Sequence, residues 1–282
     1  MTSTIPYTHA RSWLLVSAAR PEKFLPAVEG PADAVLLDLE DGVVPAAKAA
    51  AREAVVAFLG DADDAGEHGR AWVRINDTST PYWADDLAAL DGLPGLAGIM
   101  LAKSESGSQV DDTSKRLRAG VPIIPLIESS RGIEFAFETA SADAVVRLAF
   151  GSGDFRRDTG AGANAAALAY ARGRLVVAAG AANRAGPIDG PTPSSDSSVL
   201  AADLAVARTM GLSGKLSLRA TQCPDINRAF SPARDDIAWA TDVIATLGID
   251  GEHVRDGSDL PRLARARRIR ALADVFGEDS TD

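Results

Sequence analysis

"DAVLLDLEDGVVPAAK", residues 33–48, packs a strand, an acidic end and a helix start into one short stretch. Val35, Leu36 and Leu37 open an apolar run of the kind that forms a buried strand. Asp38, Glu40 and Asp41 load its end with negative charge. Gly42 turns the chain, and Pro45 suits the first turn of a helix. A buried strand that ends in three acids raises two questions at once: what sheet it belongs to, and what its charge is for.

The same grammar recurs outward from this stretch. Short apolar runs followed by a turn and an Ala-rich helical segment stand at residues 12–18 (SWLLVSA), 34–41 (AVLLDLED), 71–77 (AWVRIND), 98–103 (GIMLAK), 122–129 (PIIPLIES), 145–152 (VVRLAFGS), 186–192 (GPIDGPT) and 214–220 (GKLSLRA). The seventh is the weakest. Helices are expected over 46–59, 83–90, 133–142, 165–179, 198–210 and 235–247. Strands alternating with helices predict parallel pairing through right-handed crossovers. Eight such units in this length predict a (β/α)₈ TIM barrel. An open doubly wound sheet is the competing reading, and it wants a Gly-rich phosphate loop after the first strand. "VSAARPEKF", residues 16–24, has no glycine there.

No linker divides the chain, so one barrel domain over residues 1–282 is expected, with a C-terminal helical extension and a short polar tail. The extension, "LPRLARARRIRALADVF" (260–276), reads as a basic amphipathic helix whose arginines form a solvated or subunit-facing surface.

Bulk composition narrows the function. The 282 residues are 46% hydrophobic and 24% charged, enough for a full core and unlike a disordered chain. A formal net charge of −10 argues against a non-specific nucleic-acid binder. Cys223 is the single cysteine, so no intrachain disulfide forms. There is no signal-like leader and no apolar run long enough to span a bilayer, so no membrane partner and a cytoplasmic location are expected.

In a barrel of this kind, chemistry sits where strands end. Those positions hold Glu40 and Asp41 (second strand), Arg74 and Asn76 (third), Lys103 (fourth), Glu128 (fifth), Asp154 just past the sixth, and Arg219 and Gln222 on the eighth. Each has an ordinary structural reading. Asp41 can organise its turn, Glu128 can support a helix start capped by Ser129 or Ser130, Asp154 can be a turn acid, and Arg74 can be a buried ion partner. Together they demand a metal or a tight salt-bridge net, because uncompensated buried carboxylates cost several kcal/mol each. Glu128 and Asp154, with no His or Cys at a strand end, suit a hard oxygen-seeking cation such as Mg²⁺. His9, His68 and His253 fall away from the strand ends, which argues against zinc. Arg74 can grip a substrate carboxylate with two N–H groups.

The ordered series resembles the HpcH/HpaI aldolase and citrate lyase β-subunit-like family across nearly the whole chain. The motifs are "RSWLLVSAARPEKF", "AVLLDLEDGVVPAAKAAAR", "VRIN", "GIMLAKSES", "PLIESSRGI", "LAFGSGDF" and "GKLSLRATQCPDINRAFSP". The resemblance implies a barrel of the pyruvate/phosphoenolpyruvate type, a trimeric or hexameric homo-oligomer, and Mg²⁺ held by Glu128 and Asp154. It implies Arg74 on the substrate's carboxylate or keto group, and Glu40 and Asp41 beside the metal's waters. It also implies Arg20 and Lys23 near the phosphates of an acyl-CoA. One departure stands out: where the family commonly reads Ile-His-Pro-x-Gln, this chain has Leu218, Arg219, Ala220 and then Gln222. The lid carried by longer relatives is expected to be short or absent.

The expected function is a Mg²⁺-dependent carbon–carbon lyase on a β-hydroxyacyl-CoA of the citryl, malyl or citramalyl type, giving an acyl-CoA and a 2-oxo acid. The alternatives are a metal aldolase on a free hydroxy-oxo acid, a thioester hydrolase, and a non-catalytic assembly subunit, which the Arg219 departure favours.

Overall fold

Eight parallel strands close into a barrel in strict chain order, with β8 hydrogen-bonded back to β1. They are β1 (Ser12–Ser17), β2 (Ala34–Asp38), β3 (Ala71–Ile75), β4 (Leu96–Leu101), β5 (Ile123–Ile127), β6 (Ala149–Phe150), β7 (Ile188–Asp189) and β8 (Gly214–Ser217). The structure, a computed structural model, describes residues 5–61 and 70–277. His68 and the polar tail from residue 278 lie outside them. The expected TIM barrel is the observed fold.

Helices fill the connections: α1 (Phe24–Val28), α2 (Lys48–Gly60), α3 (Pro81–Leu90), α4 (Gly107–Ser114), α5 (Ser130–Glu134), α6 (Ala136–Ser141), α7 (Ser152–Thr159), α8 (Ala169–Ala181), α9 (Ser197–Thr209) and α10 (Cys223–Phe230), then α11 (Arg234–Leu247) and α12 (Asp259–Phe276). In α2 the buried positions Lys48, Ala51, Val55 and Leu59 recur every three or four residues, the stripe a helix turns toward a core. The single helix expected over 133–142 is instead two, α5 and α6, meeting at Phe135. Ser129 caps α5 by accepting from Gly132 N.

Strand parity sets what fills the barrel. Trp13, Leu36, Trp72, Met100, Leu126 and Leu216 point inward and form one cluster, with Trp13 and Trp72 edge to face at 5.2 Å. Their neighbours Leu37, Val73, Leu101 and Ile127 point outward and pack with the helices. Period-two alternation then fixes the mouth. Two residues beyond Leu36 is Asp38, and two further is Glu40. Two beyond Trp72 is Arg74, and two beyond Leu126 is Glu128.

The sixth apolar run yields only a two-residue strand. Arg147, in its middle, is fully buried and donates to the carbonyls of Tyr7, Ala10 and Gly186 at the opposite end of the barrel. A guanidinium fits neither apolar layer, and these carbonyls satisfy it. A buried ion cluster sits behind β7 and β8: Arg172 and Lys215 both bond Asp189, at 2.9 and 3.1 Å.

The barrel unit extends through Asn227, and a second compact unit begins at Arg228. In the second, Ala240, Val243 and Leu247 of α11 pack with Leu263 and Ala266 of α12. Four of the five arginines of α12 are engaged within that unit. Arg262 pairs with Asp259 and Arg265 with Asp236, Arg270 pairs with Asp274, and Arg267 donates to Ile249 O. No helix among the described residues is long and apolar enough to cross a membrane.

Candidate active site at the barrel mouth

Arg74 and Asp38 form the base of the site. Arg74 donates from Nε to Asp38 Oδ1 and from Nη2 to Asp38 Oδ2, both at 2.7 Å, a side-on bidentate pair. Gly42 N and Glu40 N also donate to the Asp38 carboxylate, each at 2.9 Å. A side chain at Gly42 would collide with that carboxylate, so the turn glycine is required by close approach. The pairing raises the Arg74 pKa against the burial that would lower it. Glu40 is a second, looser ion partner, with Oε2 3.4 Å from Arg74 Nη1. The strong partner is Asp38, two residues before Glu40 on the same face, which strand alternation alone could have singled out.

The two acids expected to act as a pair part company. Glu40 is buried and committed: it accepts from Lys103 Nζ and, at 2.8 Å, from Asp41 N, and lies 3.4 Å from Arg74 Nη1. Asp41 has a side chain 57% exposed, 3.8 Å from Lys103 Nζ. Neither sits in the outer helical layer. Beneath them lies an ammonium without a sequence-level warning. Lys48 is buried and donates to Leu39 O, Glu40 O and Asn76 Oδ1 at 2.6, 2.8 and 2.7 Å. Burial lowers its pKa, offset in part by the nearby acids. Asn76 is held in turn by Asp86, which accepts from Arg52.

Glu128 is buried just past β5 and accepts from Lys103 N at 2.9 Å. Burial pushes its carboxyl up to about 8, against the pull of Arg74 and the Lys103 N–H and with help from Glu40 and Asp154. Gly151, at the end of β6, leaves room for it: a Cβ there would strike the Glu128 side chain. Asp154 lies in the first turn of α7. Its Oδ1 is 3.2 Å from the exposed Arg157, while Oδ2 is buried and has no hydrogen-bond partner.

These features fit a hard divalent cation. A buried carboxylate forced toward its neutral form and an orphaned carboxylate oxygen are both resolved by a metal ion. Among the described residues no three His, Cys, Asp or Glu side chains cluster as a metal site. A two-carboxylate donor set matches Mg²⁺, which keeps waters in its remaining positions. His9 bonds Thr8 ahead of β1, and His253 belongs to the helical unit.

At the end of β8, Gln222 is a strap. Its amide donates to Thr192 O and Ser194 O at 3.2 and 2.9 Å, and accepts from Ser217 Oγ at 3.1 Å. Arg219, the residue that departs from the family pattern, is exposed and donates to Pro193 O at 2.7 Å. Both side chains clip the loop after β7. After β1, Arg20 pairs with Glu22 at 2.7 Å and Lys23 is exposed, so both cations are accessible on the surface that follows that strand.

Residues 11–218 match the HpcH/HpaI aldolase/citrate lyase family. The chain belongs to that family. Residues 235–277 match the HpcH/HpaI aldolase C-terminal domain. A citrate lyase subunit beta-like protein of Mycobacterium tuberculosis is 33% identical over 240 residues, covering 83% of each chain. A (3S)-malyl-CoA thioesterase of Cereibacter sphaeroides is 29% identical over 278 residues, covering 94% of this chain and 95% of its own. Among solved structures, the protein CitE of Mycobacterium tuberculosis in complex with magnesium, acetoacetate and coenzyme A superposes with a TM-score of 0.76. It is 30% identical and the match covers 95% of this chain and 99% of that one. Membership makes this chain an enzyme of the aldolase/citrate lyase type.

Proposed function

We propose that the chain is a Mg²⁺-dependent carbon–carbon lyase that cleaves or forms a β-hydroxyacyl-CoA of the citryl, malyl or citramalyl type, yielding an acyl-CoA and a 2-oxo acid. The observation that carries the reading is the charge count at the mouth. Arg74 answers Asp38, and Lys103 answers Glu40. Glu128 and the buried oxygen of Asp154 are left for one divalent cation.

When bound, Mg²⁺ supplies Lewis acidity toward the carboxylate and keto oxygens of a 2-oxo acid. Arg74 has five N–H groups, and Asp38 takes one edge of the fork, so the Nη1 side is the edge that binds a substrate carboxylate. Asp41, the solvent-reached acid of the mouth, is the group placed to exchange the substrate's proton, while Glu40 is buried and held by Lys103. Arg20 and Lys23 bind the phosphates of the CoA moiety. The reading extends to a cytoplasmic homo-oligomer, trimeric or hexameric, in keeping with the family resemblance and the buried, unpaired Cys223. Light scattering on the purified protein measures that assembly.

The test has two parts. Calorimetric titration with Mg²⁺ should show one site in the wild type and none in Glu128→Ala. Incubation with malyl-, citramalyl- and citryl-CoA should release an acyl-CoA and a 2-oxo acid. Release of free CoA and a hydroxy acid would make the chain a thioesterase, the activity named for the Cereibacter relative. Unchanged Mg²⁺ binding in Glu128→Ala would sink the metal assignment.

A further inference from the structure

Lys103 stands in the left-handed backbone region, at φ 49°. A residue with a Cβ there costs roughly 1–2 kcal/mol, and such outliers persist where their surroundings over-determine them. The surroundings do so here. Ala102 N donates to Ile75 O, Ser104 N to Leu126 O at 3.0 Å, and Ser104 Oγ to Leu101 O at 2.9 Å. The held conformation aims two donors of one residue at two inward acids. The Lys103 N–H meets Glu128, and its ammonium meets Glu40 Oε1.

Glu40 therefore stands between two cations. Lys103 holds Oε1 by a direct hydrogen bond and the uncharged Asp41 N–H meets Oε2 at 2.8 Å, whereas Arg74 Nη1 stays 3.4 Å from Oε2. Lys48 cannot replace Lys103, because its three N–H groups are spent on Leu39 O, Glu40 O and Asn76 Oδ1. Without the Lys103 ammonium, Arg74 is the one ion partner left to the Glu40 carboxylate among the described residues. A buried carboxylate deprived of its cation moves to the nearest remaining one.

The geometry points to Lys103 as a positioning residue that holds Glu40 away from Arg74 and so keeps the outer edge of the guanidinium open for a substrate carboxylate. The inference rests on the reading of Arg74 as the anchor of a 2-oxo acid, and adds what keeps that anchor free. Lys103 acts through Glu40 and need not touch the substrate. Its backbone N–H, which reaches Glu128, is independent of its side chain.

The experiment is a crystal structure of Lys103→Met together with calorimetric titration of pyruvate into Mg²⁺-loaded protein. In the variant, Glu40 should close on Arg74 Nη1 to about 3 Å, the length of a charged hydrogen bond. Pyruvate affinity should fall by about tenfold or more, since the substrate now competes with a buried carboxylate. Mg²⁺ affinity should not fall, because the Lys103 N–H still meets Glu128 and the change removes a positive charge that Glu128 feels. The double variant Lys103→Met/Glu40→Gln should regain pyruvate binding to within about threefold, because the competing charge is gone. A merely structural lysine would show no such rescue. Lys103→Gln takes the place of the methionine variant if the latter does not fold. Glu40 remaining at its wild-type position, or a double variant as weak as the single one, overturns the proposal. A wild type that binds no pyruvate defeats the reading of Arg74 instead, and the crystallographic comparison then decides alone whether Lys103 is what holds Glu40 back.

Discussion

At the scale of single residues, the mouth is governed by which hydrogen-bond edges are already taken. Arg74 meets Asp38 side-on through Nε and Nη2, and lysine has no fork with which to copy this. Arg74→Lys should therefore lower kcat/KM by about a hundredfold or more while the barrel still folds; steady-state kinetics beside circular dichroism measures both. Gly151 gives a sharper probe of Glu128. Gly151→Ala would drive a methyl into the Glu128 side chain and should weaken Mg²⁺ by about tenfold, the usual range for disturbing what supports a ligand. Gly153, two residues on in α7, has open space around it, so Gly153→Ala should leave Mg²⁺ affinity unchanged. Equal affinity losses in both variants would point to α7 as a whole rather than to the Glu128 cradle.

At the scale of elements, the strands announce themselves because each carries an apolar run bounded by turn residues, and β2 is legible down to its acidic end. The site was less so. Glu40 and Asp41 read as a pair because they are adjacent, yet adjacent residues at a strand end face different ways. The inward partner of Glu40 is Asp38, in register with Leu36. Lys48 looks like any helix-start lysine until the fold buries it under two carbonyls. Helices α4 and α7 are short and polar, with little periodicity to find, although the Ser106–Gln109 capping box marks the start of α4. At β8, Gln222 does for the neighbouring loop what sequence could not show. Gln222→Leu removes the donor to the buried Thr192 O and the shorter of two bonds to Ser194 O, while the Ser217 hydroxyl keeps Arg219 O, and should cost about 2 kcal/mol in urea unfolding. Arg219→His, which restores the family's residue at an exposed position, should change stability by about 0.5 kcal/mol or less.

At the scale of the whole molecule, two buried carboxylates set opposite edges of the stability profile. Burial pushes Asp189 up, but Lys215 and Arg172 outweigh it, so its pKa is lowered in the folded chain. Its contribution is present above the unfolded carboxylate pKa and is lost as acid protonates it below that value. Glu128 has the reverse sign. Its folded pKa, about 8, lies above the ordinary 4.5, so the folded chain binds a proton that the unfolded chain has released. Stability from that proton is complete below 4.5 and drains away as pH rises through about 8. The full loss is on the order of 3–5 kcal/mol, since every tenfold gain in proton affinity on folding is worth about 1.4 kcal/mol. In chelator, thermal melts should therefore fall between pH 5 and 9, by roughly 6–20 °C at about 2–4 °C per kcal/mol for a chain of this size. Mg²⁺ requires the ionised carboxylate, so it should raise the melting temperature more at pH 8.5 than at pH 6. Glu128→Gln has no proton to lose. Its melts in chelator should lack this alkaline decline and should not respond to Mg²⁺. A wild type whose melting temperature in chelator stays level from pH 5 to 9 would show that Glu128 is already ionised without a metal, and the charge count that assigns a divalent cation to this mouth would fail with it.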